Sequence, residues 1–339
     1  FFFLWLFLLF LLLFWFLFLL LFAVVLFSFS VASAVDSLRF LVLGDWGGLP
    51  TIPYRTPVES SVAQQMGYVT EKYDSKFNLA LGDNFYFDGV TNDDDKRFQE
   101  TFENVFKDQS LQNAWYVVAG NHDHNGNVSA QIAYSKKSTR WNFPNYYYFL
   151  SFPIPGSNAK VDIVMIDTVL LCGNTLHDFV ASQPQGPADK VIAEDQWNWI
   201  EQQLMNSTAE YLLVAGHFPV YSIAEHGPTQ CLVDRLRPLL QKYQVTAYLS
   251  GHDHNLQYLQ ATEDGVTMDY FVIGAANFVD TSNEHAGAVP AGSSKFFWAK
   301  YTELGGFAFA EATPSNMTFN FVDGLGKSLY AHILYPRKI

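Results

Sequence analysis

Cysteine is scarce in this chain, which has only Cys172 and Cys231 in 339 residues. Neither belongs to a Cys-x-x-Cys pair, so the sequence gives no sign of a cysteine-ligated zinc site. In an oxidising compartment we expect the two thiols to pair, and the alternative is two buried free thiols. A disulfide that closes a loop of this length would stabilise the fold by about 4 kcal/mol on the chain-entropy model.

Basic residues are also scarce relative to acidic ones. The chain has 20 Lys and Arg against 33 Asp and Glu, a net charge of −13. This acidic balance argues against a nucleic-acid-binding surface, and we expect no nucleic-acid partner. About 300 residues follow the N-terminal stretch, which is enough for one large domain or two smaller ones.

Charged residues are absent from the N-terminal stretch, residues 1–29, which is nearly all Phe and Leu and lacks an initiating Met. Its length would span a bilayer. Ala32-Ser33-Ala34, however, has the form of a signal-peptidase site. We therefore expect residues 1–34 to be a signal peptide, extended by a misassigned start, with a retained membrane anchor as the alternative. Either would bring the rest of the chain into the secretory pathway.

Three N-glycosylation sequons agree with that compartment. They begin at Asn127, Asn206 and Asn316. We expect a lysosomal or secreted glycoprotein, attached to a membrane only if the N-terminal segment is retained.

Apolar runs alternate with helical patterns after residue 35. The predicted strands are 39–44, 77–82, 115–120, 146–152, 161–167, 211–216, 245–250, 256–260, 269–274, 307–312, 316–322 and 329–335. The predicted helices are 57–72, 94–107, 194–205 and 231–242. The first three strands and two helices form a β-α-β-α-β unit, which implies parallel strands with right-handed crossovers. We predict an α/β sandwich over residues 35–339, one catalytic domain with two packed mixed sheets and helices outside.

Metal-binding side chains follow five of these predicted strands. They are Asp45, Asp83, Asn121-His122, His217 and His252-x-His254. Ligands collect at the carboxyl ends of strands in open α/β sheets, and a glycine before each ligand suits a sharp turn. Carboxylates favour hard cations, and imidazoles suit Fe, Zn or Mn. The set predicts two metal ions that share a bridging carboxylate.

These segments resemble the purple acid phosphatases, in particular their small animal type, within the calcineurin-like metallophosphoesterases. The resemblance covers residues 38–338 and includes Tyr221–Pro228, a stretch specific to that type. It lies in five motifs: Gly44-Asp45-Trp46-Gly47-Gly48, Gly82-Asp83-Asn84-Phe85-Tyr86, Gly120-Asn121-His122-Asp123, Ala215-Gly216-His217-Phe218-Pro219-Val220 and Ser250-Gly251-His252-Asp253-His254-Asn255.

The resemblance implies an acid phosphatase, a phosphoric monoester hydrolase that uses a hydroxide activated by two metals. Fe(III) would be bound by Asp45, Tyr86 and His254. A second ion, Fe(II) with Zn or Mn as alternatives, would be bound by Asn121, His217 and His252. Asp83 would bridge the two ions.

The resemblance also places His122, His226 and Glu225 beside the substrate. Both histidines are candidates for protonating the leaving group, because imidazole titrates near neutral pH. An acid optimum would follow if that histidine must be protonated. We expect phosphomonoester substrates, either small molecules or phosphoproteins.

The segment Leu171–Lys190 reads as a long exposed loop, because it contains two prolines and two glycines and has no periodicity. It resembles the segment that limits activity in this family until a protease removes it, and Asp178 is the acidic residue that would reach the metals. The alternative is a disordered surface insertion. His177, His285 and His332 match no motif, and we expect surface or packing roles for them.

Two rival functions remain at this point. One is a related phosphodiesterase or nucleotidase with Zn or Mn at both positions, against which Tyr86 argues. The other is a redox iron centre that generates reactive oxygen species. His122 and His226 favour hydrolysis over that rival, since iron binding needs no leaving-group acid.

Overall fold

The computed structural model describes residues 36–175, 183–263 and 265–338, together with Phe2, Phe3, Trp5, Phe7 and Trp15. Residues Phe1–Asp36 form one compact unit and Ser37–Ile339 form another. The five described residues at the N-terminus are helical and exposed, and almost all of the predicted signal peptide, residues 1–34, lies outside the described residues. Within the described part of the chain, no helix has the length and apolar character needed to cross a membrane.

Two seven-stranded mixed sheets form the centre of the unit Ser37–Ile339, as predicted. Their orders are β14-β13-β12-β1-β2-β3-β4 and β11-β9-β10-β8-β7-β6-β5. The strands are β1 Leu38–Leu43, β2 Phe77–Ala80, β3 Ala114–Val117, β4 Trp141–Asn142, β5 Tyr148–Pro153, β6 Lys160–Met165, β7 Tyr211–Ala215, β8 Ala247–Ser250, β9 Leu256–Glu263, β10 Val266–Ile273, β11 Ser294–Trp298, β12 Gly306–Ala312, β13 Met317–Asp323 and β14 Ser328–Leu334.

Among the described residues of this unit, six α-helices connect and cover the sheets. They are α1 Pro57–Tyr73, α2 Asn121–His124, α3 Val128–Tyr134, α4 Thr168–Cys172, α5 Lys190–Asn206 and α6 Gln230–Lys242. Thr56 and Glu59 form a capping box at the start of α1, which satisfies two of the backbone N–H groups that a helix leaves open. The predicted parallel pairing of the first three strands is confirmed, and α1 forms the first of the two helical crossovers predicted between them.

The sheets pack face to face, with helices on their outer sides. Period-2 alternation along β7 shows this arrangement: Leu213 belongs to the core between the sheets, and its neighbours Leu212 and Val214 belong to the core under α5 and α6. Phe271 of β10 stacks on Phe319 of β13, with 4.7 Å between ring centroids. The packing brings the carboxyl ends of both sheets' parallel strands to one region.

The predicted helix over 94–107 is largely wrong, because only Phe98–Glu103 coils, as a single π-helical turn. The preceding residues form side-chain turns instead. The amide of Asp94 donates to Asn92 at 2.8 Å, and those of Thr91 and Arg97 donate to Asp95. Short acidic and amide side chains compete in this way with helical hydrogen bonds. The strands β4 and β11 were not predicted.

Cys172 and Cys231 form the predicted disulfide. The bond joins α4 to α6, so it links the start of the segment Leu171–Lys190 to the helix that follows Tyr221–Pro228.

Candidate metal centre

The predicted ligands lie beyond the ends of strands, in turns or, for Asn121, at the first residue of α2. Asp45, Asp83 and Asn121 follow β1, β2 and β3 of the first sheet, and the predicted histidine ligands follow β7 and β8 of the second. β2 ends two residues and β3 three residues earlier than predicted, because the chain turns sharply before the ligands. The site therefore lies between the sheets, at their carboxyl ends.

The sharp turns require unusual backbone. Asp45, Asp83 and His252 all have positive φ, between 51° and 72°, a region that non-glycine residues seldom occupy and that is often found at functional sites. The glycines allow close approach of the ligands. A Cβ on Gly251 would collide with the carboxylate of Asp45, and one on Gly120 would collide with that of Asp83.

Three of the predicted ligands meet on one side of the site. The hydroxyl of Tyr86 lies 3.2 Å from Oδ1 of Asp45 and 2.9 Å from Nε2 of His254. Nε2 of His254 lies 3.6 Å from the same Asp45 oxygen. These three donor atoms are the ones predicted to share the ferric ion.

Four more predicted ligands meet on the other side. Nε2 of His217 lies 2.8 Å from Oδ1 of Asn121 and 3.4 Å from Oδ1 of Asp83, and the rings of His217 and His252 lie 5.1 Å apart. Asp83 connects the two groups, since ligand atoms of Asp45, Asp83 and His217 all lie within 4.8 Å of one another. The seven donors thus form two adjoining sets with one carboxylate in common.

The acidic groups crowd each other in a buried position. Burial raises the pKa of Asp45 well above its ordinary value. Burial opposes ionisation of Asp83 as well, but His217 and His122 hold the pKa of that carboxyl below its usual range. Burial and both carboxylates raise the pKa of the Tyr86 phenol. Such a cluster needs positive charge if it is to ionise fully, and bound cations would supply it.

Burial lowers the pKa of His217, but the charge and hydrogen bond of Asp83 outweigh it and raise that pKa to about 9, so a metal would have to displace its proton. The other two predicted histidine ligands are suited to metal binding without that change. Burial and the charge of His226 lower the pKa of His252, and burial lowers that of His254 to about 4. Both rings are therefore neutral near pH 7, the form that binds metals. Oxygen donors together with imidazoles fit iron, zinc and manganese, so the residues present fit a dinuclear centre.

The three predicted catalytic residues line a cavity of about 500 Å³ beside these ligands. His122, His226 and Glu225 share its wall with Tyr86 and His254. The wall also includes the aromatic side chains of Phe87, Phe278 and Tyr301. The cavity thus reaches the ligand cluster, and the imidazoles of His122 and His226 border it together with that of His254.

Both cavity histidines are oriented through Nδ1. Nδ1 of His122 lies 2.8 Å from the carbonyl oxygen of Phe87. A carbonyl can only accept, so Nδ1 donates and Nε2 is directed elsewhere. Nδ1 of His226 lies 2.8 Å from a carboxylate oxygen of Asp253. Burial lowers the pKa of His226, but the hydrogen bond and charge of Asp253 outweigh it and raise that pKa to about 9.

Three residues that support the site were missed. Asp253 orients His226. Asp123 accepts from the amides of Gly120 and Asn84, next to two ligands. Arg97 donates to the carbonyls of Tyr86 and Gly47. Asp123 and Asp253 lie within two of the five motifs, so their positions in the sequence could have indicated a role at the site. Nothing in the sequence distinguishes Arg97 in this way.

The histidines without a motif have packing contacts where they are described. His332 is hydrogen-bonded to Tyr258 at 2.8 Å, and His285 is hydrogen-bonded to the carbonyl of Ala224 at 2.7 Å. His177 and Asp178 lie outside the described residues.

Comparison with known proteins agrees with this geometry. The family model described as calcineurin-like phosphoesterase matches residues 38–256, the span that contains all five motifs. The chain belongs to that family. Its curated relatives include tartrate-resistant acid phosphatase type 5 from Oryctolagus cuniculus, 55% identical over 88% of this chain and 90% of the relative. The same enzyme from Homo sapiens is 53% identical over 90% and 93%. The chain therefore belongs with the tartrate-resistant acid phosphatases, and the resemblance to the small animal purple acid phosphatases is confirmed.

Solved structures agree on the fold. GAP50, the anchor in the inner membrane complex of Plasmodium, superposes with a TM-score of 0.74 at 25% identity and covers 89% of this chain and 90% of its own. The purple acid phosphatase PPD1 from yellow lupin seeds gives a TM-score of 0.62 at 16% identity, over 89% of this chain and 54% of its own. The predicted metallophosphoesterase-like α/β sandwich is confirmed.

Proposed function

We propose that this phosphatase hydrolyses phosphate monoesters at a dinuclear metal centre between its two sheets. Membership of the acid phosphatases supports hydrolysis over the phosphodiesterase and redox alternatives. The observation that carries the proposal is the convergence of the seven predicted donor side chains on one cluster. That cluster borders a cavity that is also lined by His122 and His226.

Asp45, Tyr86 and His254 would hold Fe(III), since a phenolate oxygen is a hard donor that suits a trivalent cation. Asn121, His217 and His252 would hold a second ion, Fe(II), Zn or Mn. Asp83, between the two sets, would bridge them. When bound, such a pair of ions neutralises the phosphoryl oxygens and lowers the pKa of water, which supplies the nucleophile.

His226 is the residue that we assign to leaving-group protonation. Its Nδ1 is paired with a carboxylate, which favours the imidazolium form, whereas Nδ1 of His122 is paired with a neutral carbonyl. His122 is placed to bind the phosphoryl group, because its Nε2 lies 3.8 Å from Oδ2 of Asp83. Glu225, half-buried beside His226, would help to align the substrate.

The ferric assignment predicts a colour. Oxidised wild-type protein is expected to show a broad visible absorption band, because a phenolate bound to Fe(III) gives a charge-transfer transition. Tyr86→Phe is expected to remove the band while iron content falls by at most one ion per chain. The measurement is a visible spectrum with metal analysis on the same sample.

Tyr148→Phe is the matched control for this spectrum. Tyr148 is also buried, but its hydroxyl donates to the carbonyl of Val117 at 2.8 Å, away from the ligand cluster. This variant should keep the band. A coloured Tyr86→Phe protein would remove Tyr86 from the ligand set, and a colourless, metal-loaded wild type would favour Zn or Mn at both positions.

The role of His226 predicts a dependence on the leaving group. In His226→Asn, kcat/KM for an alkyl ester such as glycerol 2-phosphate should fall by about a hundredfold or more. That for p-nitrophenyl phosphate should fall far less, because p-nitrophenolate leaves without a proton. Steady-state kinetics with both esters test this, and His332→Asn serves as the matched control. Equal losses on both esters would contradict the assignment.

We place the chain in the secretory pathway, as a lysosomal or secreted glycoprotein. The disulfide between Cys172 and Cys231 supports an oxidising compartment. The sequon residues Asn127 and Asn206 are exposed, and Asn316 is half-exposed, so an oligosaccharide can be attached at each.

The segment Leu171–Lys190 is proposed as the target of an activating protease. Its two described ends touch both sides of the site. Nδ2 of Asn174 donates to the carbonyl of Asn121 at 3.1 Å. The side chain of Gln183 donates to the carbonyl of Pro228 and accepts from the amide of Gln230. An intact segment therefore joins a ligand turn to the stretch that carries His226.

Cleavage of this segment is expected to raise kcat/KM by about fivefold or more, the lower range of allosteric coupling. The measurement is activity during limited proteolysis, with the cut mapped by mass spectrometry and the disulfide intact. A cut within 171–190 that leaves kcat/KM unchanged would contradict the proposal.

A further inference from the structure

The stretch Ser222–His226 is held in place by hydrogen bonds, although it is neither helix nor strand. It passes beside the cavity and carries Glu225 and His226. Its first three residues, Ser222, Ile223 and Ala224, are buried. A buried irregular stretch must find partners for its backbone N–H groups outside regular secondary structure.

Oxygen atoms of buried side chains accept hydrogen bonds from three of those N–H groups. The amide of Ile223 donates to Oε1 of Gln257 at 3.0 Å, and that of Ala224 donates to Oγ of Ser222 at 3.1 Å. The amide of His226 donates to Oδ1 of Asp253 at 3.0 Å. The conformation of the stretch is thus set from the segment that begins at the His252-x-His254 motif.

Gln257 connects these contacts. Its Nε2 donates to Oγ of Ser222 and to Oδ1 of Asn255, both at 2.7 Å. Gln257, Ser222 and Asn255 are each 0% exposed. Gln257 is the second residue of β9, so the rigid sheet fixes its side chain. The carboxamide accepts through its oxygen and donates through its nitrogen, so one side chain makes all three contacts.

On its other side, the stretch is hydrogen-bonded to His285, which is more exposed than Gln257. The amide of His285 donates to the carbonyl of Ile223 at 3.0 Å, and Nδ1 of His285 lies 2.7 Å from the carbonyl of Ala224. The side chain of His285 is 30% exposed. Water can replace a contact there. Loss of the Gln257 amide, in contrast, would leave the buried Ile223 N–H without its acceptor and would remove one of the two N–H donors to the Ser222 hydroxyl.

We propose that Gln257 is a positioning residue for His226. It acts through Ile223 and Ser222, and together with Asp253 it holds the imidazole at the distance from the leaving oxygen that proton transfer needs. Displacement of a catalytic group by about 1 Å costs on the order of a hundredfold in rate. The inference rests on the proposed role of His226.

Gln257→Leu tests this inference, because leucine is similar in size and lacks both polar groups. We expect kcat/KM for glycerol 2-phosphate to fall by about tenfold or more relative to that for p-nitrophenyl phosphate. Metal content and the inhibition constant of inorganic phosphate should stay within about twofold of wild type, since Gln257 contacts none of the seven donors.

Gln196→Leu is the matched control. Gln196 is also 0% exposed and also accepts from a backbone N–H, that of Asp167, to whose carbonyl it donates, but it has no hydrogen bond to Ser222–His226. We expect Gln196→Leu to lower the free energy of unfolding about as much as Gln257→Leu does. Its kcat/KM should change by the same factor for both esters. Gln257→Glu keeps the acceptor for Ile223 and should recover part of the selective loss. It also provides the test if Gln257→Leu does not fold.

Parallel assays of His226→Asn separate the two proposals. If His226→Asn is selective for the alkyl ester and neither Gln257 variant is, the positioning role is wrong and the role of His226 stands. If His226→Asn is itself unselective, both proposals fall. A selective loss in Gln196→Leu equal to that in Gln257→Leu would show a general effect of stability and would also overturn the inference.

Discussion

Asp83→Asn is expected to lower kcat for p-nitrophenyl phosphate by about a thousandfold or more, because one change weakens both metal positions. The carboxylate of Asp83 lies 3.4 Å from Nε2 of His217 and accepts from the amide of His122 at 3.0 Å. An amide carries no charge, so it cannot bridge two cations or offset their repulsion. Metal analysis by atomic emission should show the loss of at least one ion per chain.

Asp162→Asn is the matched control for that experiment. Asp162 is a buried carboxylate of β6 that accepts from the hydroxyls of Ser151 and Ser207, at 2.6 and 2.7 Å. We expect some loss of stability, with metal content and kcat close to wild type. If Asp83→Asn kept both ions and most of its activity, Asp83 would not be a bridging ligand.

Trp46→Ala is expected to lower the free energy of unfolding by about 3–5 kcal/mol, the usual cost of removing a large buried aromatic side chain. Trp46 is 0% exposed. Its ring lies 5.5–6.1 Å from five other aromatic rings, measured between centroids: those of Phe85, Phe102, Phe106, Trp115 and Trp141. Alanine would leave a cavity that these rings cannot close without moving. Urea unfolding followed by circular dichroism, at matched metal content, measures the change.

Trp46→Phe is a smaller reduction in side-chain volume at the same position and is compared with Trp46→Ala. The Nε1 atom of Trp46 has no hydrogen-bond partner among the residues that the structure describes, so phenylalanine removes volume but no hydrogen bond. We expect a loss clearly smaller than that of Trp46→Ala. A loss below about 1 kcal/mol in Trp46→Ala would mean that the aromatic cluster repacks freely.

Much of the fold could be predicted because the local and tertiary signals agree. Buried parallel strands are continuous apolar runs, and Phe40–Leu43 and Tyr211–Ala215 are such runs. A glycine followed by Asp or His marks the turn after each strand. The prediction failed over 94–107, where the apolar spacing of Phe98, Phe102 and Phe106 is helical. There, side-chain hydrogen bonds of Asn92 and Asp95 formed turns instead.

The disulfide and the ligand turns could also be predicted. The buried side chains that hold nearby backbone in place, Arg97 at Tyr86 and Gln257 at Ile223, could not. Arg97 follows Asp83 by 14 positions and Gln257 follows His226 by 31 in the printed sequence. Glutamine and arginine are usually solvent-exposed, so composition gives no reason to place them in the interior. Their functional importance depends on which backbone groups the packed sheets leave without a partner.

The sequence by itself determined the two-sheet α/β sandwich, the disulfide pair and the residues that can bind metal, because strand runs, turn glycines and ligand types are local features. Only the tertiary structure decided which donors adjoin, since packing of two sheets brings Asp45 beside His254 and Asn121 beside His217. It also decided that His226 faces a carboxylate and His122 a carbonyl. That difference in partner arises from contacts between distant segments, and the charge of the partner determines which imidazole is the better proton donor.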